Sequence, residues 1–184
     1  MTKVAILIGS LRKESFSKKL AANVAPLFPE GYNPEIVEIG NLALYNQDYD
    51  DENNAPSEYA TFRKKMKEMD AVLFVTPEYN RSVPAVLKNA LDVGSRPYGE
   101  SVWDRKPAAI ISQSPGKLSG FGANHHLRQP LVFLNMPTLQ QPEAYIGNVA
   151  DLLDEGGKIK DEGTVKFLQS FVDAFVDMIK RHQA

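Results

Sequence analysis

The sequence predicts one α/β domain, a parallel sheet of about five strands wound with helices on both faces. Three observations carry this. Apolar runs of strand length recur at Val4-Ala5-Ile6-Leu7-Ile8, Ala71-Val72-Leu73-Phe74-Val75 and Ala108-Ala109-Ile110-Ile111, and uninterrupted runs of this kind suit strands covered on both faces. Segments with apolar residues at helical spacing follow them, as in Phe16, Leu20, Val24 and Leu27. Each run also ends in a loop of serine, glycine or proline: Gly9 to Ser17, Pro77 to Ser82, and Ser112 to Gly122. Right-handed crossovers leave few topologies. In the strand order 2-1-3-4-5 these three strands are central and their loops share one mouth, where doubly wound sheets bind ligands.

Length and composition set the bounds. The 184 residues fit a single domain spanning 1–184, and a hydrophobic share of 43% is enough for a sizeable core. A net charge of −2 gives no general affinity for nucleic acid. The absence of cysteine excludes disulfides, thiolate catalysis and zinc–thiolate sites. The chain enters a strand almost at once and has no apolar run near the ~20 residues of a membrane span. A cytoplasmic protein is therefore expected.

After the first helix, Pro29-Glu30-Gly31 forms a stop. Glu35 to Ile39 is expected to form the second strand, nearer a sheet edge, and Asn41 to Pro56 a long solvated loop. Tyr59, Phe62, Met66 and Met69 place a helix over Ser57 to Met69, with Ser57 as cap and Arg63, Lys64, Lys65 and Lys67 on a solvated face. Pro84 suits the first turn of the next helix. A helix through Leu127 to Phe133 contains Pro130, Met136 to Leu139 reads as the last strand, and Asp161 to Gln183 as a closing amphipathic helix.

The first loop carries the clearest chemistry. Arg12 and Lys13 stand just before a helix N-terminus, whose partial positive charge makes that position unfavourable for cations. A bound anion resolves the conflict, held by free amides, serine hydroxyls and Arg12. The plain alternative is a βα turn with a serine cap, and an inward Glu14 would favour it. The second loop places Tyr79, Asn80 and prolines where a flat ring can lie. The third offers backbone amides and small residues. Together they suit a phosphorylated aromatic cofactor. His125 and His126 lack a nameable third ligand, so surface or interface roles outweigh a metal site.

With these residues assembled, the sequence resembles the NADPH-dependent FMN reductase family, a flavodoxin-like group that includes bacterial quinone, azo and chromate reductases. Gly9-Ser10-Leu11-Arg12 with Ser15 and Ser17 resembles its phosphate loop. Thr76-Pro77-Glu78-Tyr79-Asn80, with Ser82, Pro84 and Leu87 to Asp92, resembles its ring-side motif, the most specific piece. Ser112, Ser114, Gly116 and Gly120 match the third loop, and Gly156-Gly157-Lys158 the lead-in to the last helix. Serine at position 17, where many members carry asparagine, and Arg81, where tyrosine is frequent, are departures.

The resemblance implies hydride transfer from NADPH or NADH through bound FMN to a small acceptor such as a quinone, azo compound, metal oxyanion or free flavin. It implies Ser10, Arg12, Ser15, Phe16 and Ser17 at the FMN phosphate, Pro77, Glu78, Tyr79 and Asn80 along the ring, and Ser112 and Gly116 closing the far side. It implies no catalytic side chain, because the cofactor carries the chemistry. For Glu78 a salt bridge or an oligomer contact stands beside a general-base role. Trp103 is either core or a cover for a neighbouring subunit's flavin, and a homodimer or homotetramer is implied. The rival is a flavodoxin-type electron carrier. Against it stand the absent threonine-rich phosphate loop and the weak net charge.

Overall fold

The computed structural model describes residues 1–183. The chain runs β1 (Thr2–Ile8), α1 (Phe16–Val24), a 3₁₀ turn (Ala25–Leu27), β2 (Tyr32–Ile36), α2 (Asp48–Asp51), α3 (Ser57–Lys67), β3 (Ala71–Thr76), α4 (Ala85–Gly94), β4 (Ala108–Gln113), α5 (Phe121–Phe133), β5 (Ala144–Ile146), α6 (Val149–Leu152) and α7 (Glu162–Gln183). The sheet has five strands in the order β2-β1-β3-β4-β5, all parallel. This is the flavodoxin-like arrangement that the sequence predicts.

Strand alternation divides the core. Val4, Ile6, Ile8, Leu73, Val75 and Ile111 face α1 and α7, where they meet Leu20, Phe171 and Phe175. Ala5, Leu7, Phe74 and Ile110 face α3, α4 and α5, where they meet Met66, Leu87 and Leu127. Both faces of the central strands are buried, which explains the uninterrupted apolar runs. Trp103 belongs to the second core. It is fully buried, donates from Nε1 to the Leu91 carbonyl at 2.9 Å, and lies so close to Gly94 that any side chain there would collide with its ring. Trp103 is core and covers no neighbouring flavin.

Several expectations need correction. The second strand is Tyr32–Ile36, earlier than Glu35 to Ile39. Its Pro34 is tolerated because β2 is an edge strand, while Val37 and Ile39 turn into the core just beyond it. Met136 to Leu139 contributes only a bridge from Thr138 to Ala108, and the fifth strand resumes at Ala144–Ile146 after the Gln140 to Glu143 excursion. Ser57 does not cap α3; Pro56 precedes the helix, and the Ser57 hydroxyl turns to Glu58. Of the cations of α3, Lys64 and Lys67 lie on an exposed face as expected, Lys67 beside the equally exposed Glu100, while Lys65 is partly covered and pairs with Glu35 at 2.8 Å.

The Asn41 to Pro56 segment is mostly exposed, as expected of a solvated loop, yet it is anchored at a few points. Asp50 on α2 makes a two-pronged ion pair with Arg63, both contacts 2.7 Å and both side chains largely buried. The Arg63 Nε also donates to the Val93 carbonyl at 2.9 Å, tying α3 to α4. The Asn89 amide accepts from the Tyr45 backbone at 2.8 Å and donates to the Leu42 and Ala43 carbonyls. Arg63 holds the Asp50 carboxyl below its ordinary pKa, with burial opposing.

Candidate functional site

The three loops meet as expected. A cleft of about 240 Å³ at the C-terminal ends of β1, β3 and β4 is lined by Ser10, Arg12, Ser15, Phe16, Pro77, Glu78, Tyr79, Gln113, Ser114 and Pro115. Cavities that enclose a whole ligand hold ~300–1,000 Å³, so this cleft grips one end of a larger molecule and leaves the rest at the mouth. A larger groove, about 590 Å³, runs between α4 and α5 beside Lys88, Asp92, Arg96 and Phe133. It lacks the convergence of loops and helix amides that the cleft has.

At the first loop Ser15 caps α1, accepting from the Lys18 amide at 3.2 Å. The Phe16 and Ser17 amides belong to the first turn, where no intrahelical acceptor exists. No acidic residue occupies that turn. Glu14 faces outward, pairing with Lys19 at 3.0 Å. Arg12 is exposed at the cleft and has no ion pair among the described residues. Gly9 makes the junction possible, since a Cβ there would lie 2.8 Å from Thr76 Oγ1 and 2.7 Å from Leu87 Cδ1. The positive end of α1, with no acidic residue in its first turn, and a free guanidinium beside a cleft suit an anion such as a phosphate.

At the second loop Tyr79 and Ser82 exchange backbone hydrogen bonds of 3.1 and 2.9 Å around a two-residue turn. Asn80 and Arg81 both have positive φ, 50° and 65°. Asparagine tolerates this backbone region and arginine does so less readily. Asn80 thus shapes the turn and does not itself line the cleft. Glu78 is mostly buried. Its carboxylate accepts from the Ala123 amide in the first turn of α5 at 3.1 Å and lies 3.5 Å from Arg81. That fits a carboxylate holding two elements together. Gly122 allows this approach, since a Cβ there would sit 2.8 Å from the Arg81 carbonyl and 2.9 Å from Glu78 Oε2.

At the third loop the pleat decides which side chains reach the cleft. Ser112 points toward α5, where its hydroxyl donates to the Ser119 carbonyl and accepts from Asn124. Gly116 lies outside the cleft lining, its amide bonded to the Ser114 hydroxyl at 3.0 Å. Gln113, the next residue after Ser112, points the other way. It reaches α1 and donates from Nε2 to the buried Ser17 Oγ at 2.9 Å. Its Oε1 is buried without a partner. Sequence reasoning missed Gln113, although strand alternation signals it: the odd-numbered Ala109 and Ile111 already face α1.

The histidines are engaged elsewhere. His126 bonds the Ser82 hydroxyl at 3.0 Å and His125 the Tyr145 hydroxyl at 2.9 Å. Burial, with Glu143 alongside, pushes the Tyr145 pKa up to about 12.

The chain is similar to known proteins along almost its whole length. The model of the family "NADPH-dependent FMN reductase" matches residues 2–151. A quinone reductase of Pseudomonas putida is 55% identical over 181 residues, covering 98% of this chain and 96% of that protein. A 2-hydroxy-1,4-benzoquinone reductase of a Burkholderia species is 44% identical over 178 residues, covering 97% of this chain and 96% of that protein. Among solved structures, the flavoenzyme NAD(P)H:(acceptor) oxidoreductase FerB of Paracoccus denitrificans superposes with a TM-score of 0.92 at 41% identity, covering 99% of both chains.

Proposed function

This chain belongs to the NADPH-dependent FMN reductase family, an FMN-dependent NAD(P)H oxidoreductase, and from that premise we propose how its cleft is used and which acceptor it serves. The first turn of α1, with Ser10, Arg12, Ser15, Phe16 and Ser17, holds the FMN phosphate. Pro77, Glu78 and Tyr79 border the isoalloxazine ring, with Asn80 setting the turn that places them. Gln113, Ser114 and Pro115 form the far wall in place of Ser112 and Gly116, which face away from the cleft. The observation that carries this reading is the cleft itself, where Arg12, free helix amides and a buried unpaired amide oxygen converge without an internal partner. The bound flavin supplies hydride acceptance and donation. The chain positions it, and Tyr79, half exposed at the cleft edge, leaves its ring face open to a second planar molecule.

A quinone is the acceptor class that the relatives' names favour. Azo compounds, metal oxyanions and free flavin are alternatives that the same open mouth admits. The exposed Val132 and Phe133 of α5 and Tyr98 beyond α4 support a homodimer or homotetramer built on that side. No helix among the described residues is long and apolar enough to cross a membrane, and a pyridine-nucleotide donor supports a cytoplasmic location. The test is anaerobic titration of the FMN-loaded protein with NADPH and then NADH, followed by a benzoquinone. Bleaching of the flavin's visible absorption and its return on adding quinone support the reading. A flavin that ignores both nucleotides contradicts it and leaves an electron carrier.

A further inference from the structure

We propose that the Gln113 carboxamide is a flavin-binding group that hydrogen-bonds a hydroxyl of the ribityl chain, an inference that rests on the FMN site above. Gln113 ends β4 and is 3% exposed. β3 lies between β1 and β4 in the sheet, so the Gln113–Ser17 bond links β4 to the first turn of α1 across the end of β3. The residue lines the same cleft as Ser10, Arg12 and Ser15 on one side and Pro77 and Tyr79 on the other. Its amide therefore stands where the phosphate end and the ring end of one ligand must be joined.

The amide is half satisfied. Nε2 donates to Ser17 and Oε1 has no partner. A buried acceptor left without a donor destabilises the folded state, so such a group in a ligand cleft is a place for the ligand. The Ser17 hydroxyl both donates and accepts, so the pair can also run in reverse, with Ser17 donating to Oε1 and Nε2 facing the cleft. A phosphate oxygen would satisfy only the second arrangement. A polyol hydroxyl satisfies either, since it donates to Oε1 or accepts from Nε2. Arg12 and the amides of α1 already serve the anion, which leaves the chain between phosphate and ring for Gln113.

The same geometry gives Ser17 a defined task. Being fully buried and outside the cleft lining, it holds the Gln113 amide from behind the cleft wall through the 2.9 Å bond.

Gln113→Met keeps the side chain's length and removes its hydrogen bonding. The test uses the apoprotein, titrated with FMN and separately with riboflavin by flavin fluorescence, together with thermal melting without flavin. The expected result is a loss of about tenfold in affinity, the effect of one neutral hydrogen bond, and equal for both flavins. The flavin-free melting temperature stays near that of the unaltered chain. A loss confined to FMN assigns the amide to the phosphate and overturns the ribityl contact. Unchanged affinity overturns the proposal, as does a lowered melting temperature with normal affinity in the folded fraction, which marks a purely structural residue. If Gln113→Met fails to fold, the double variant Ser17→Ala/Gln113→Met, which removes both buried polar partners, is read against Ser17→Ala by the same criteria. An unaltered chain that binds neither flavin refutes the FMN site itself, an outcome separate from the failure of Gln113.

Discussion

The α2–α3–α4 buttress and the cleft at the strand ends use the same residue types to opposite ends. Each contains an arginine and a buried amide. In the buttress, Arg63 is saturated by Asp50 and the Val93 carbonyl, and Asn89 by Tyr45, Leu42 and Ala43. In the cleft, Arg12 has no ion pair among the described residues and Gln113 keeps an unpartnered oxygen. The one other buried unpartnered side-chain atom among the described residues is the Tyr45 hydroxyl in the buttress. There burial raises the pKa and Asp50 stands alongside as a ready acceptor. For the Gln113 amide, the Ser17 hydroxyl can satisfy one of its two polar atoms at a time. Polar groups matched within the chain hold the fold, and polar groups left open mark where something else binds.

Breaking the buttress should give the largest effect. Arg63→Ala strands the largely buried Asp50 carboxylate, and removing one partner of a buried pair costs about 3–5 kcal/mol. Chemical denaturation should show that loss. If stability is unchanged, the Asp50–Arg63 pair is not what anchors the segment. Arg12→Ala is the counterpart at the cleft. A charge-assisted hydrogen bond contributes about 1.5–3 kcal/mol, so FMN affinity should fall by roughly one to two orders of magnitude. Denaturation of the flavin-free protein should move little. A destabilised fold with intact affinity would reverse the comparison.

Acid sharpens it. The folded Asp50 pKa lies below its ordinary 3.8, so the stabilisation from this group is fully present above that value and is lost as pH falls through the lower folded value. Stability should decline below about pH 4, and Asp50→Asn should flatten that decline. An unchanged acid profile in Asp50→Asn would remove Asp50 from the account. The smallest effect is expected at Arg81, whose φ of 65° glycine adopts without strain. Arg81→Gly should relieve up to about 1 kcal/mol of turn strain, offset in part by loss of the exposed contact to Glu78. A net loss beyond about 1 kcal/mol in denaturation would mean the ion pair outweighs the turn.

Much of this was legible in the sequence, for definite reasons. The central strands announce themselves because both faces are buried. The loops announce themselves because βα turns at the strand ends carry serine, glycine and proline. The edges are harder to read: β2 admits Pro34 and β5 is only Ala144–Ile146, so neither has the long apolar run that signals a strand. The role of Arg63 was hidden among Lys64, Lys65 and Lys67, because a cation on a basic helix reads the same until Asp50 is brought to it from another element. Gln113 was passed over for Ser112, though side-chain parity along β4 separates the two.

The most direct test is a crystal structure of this chain grown with FMN. The account predicts the phosphate over the first turn of α1 within hydrogen-bond reach of Arg12 and Ser15, the ring beside Pro77 and Tyr79, and Gln113 against the ribityl chain. A flavin bound in the groove between α4 and α5, or a phosphate held in the cleft with Arg12 turned to solvent, would contradict it.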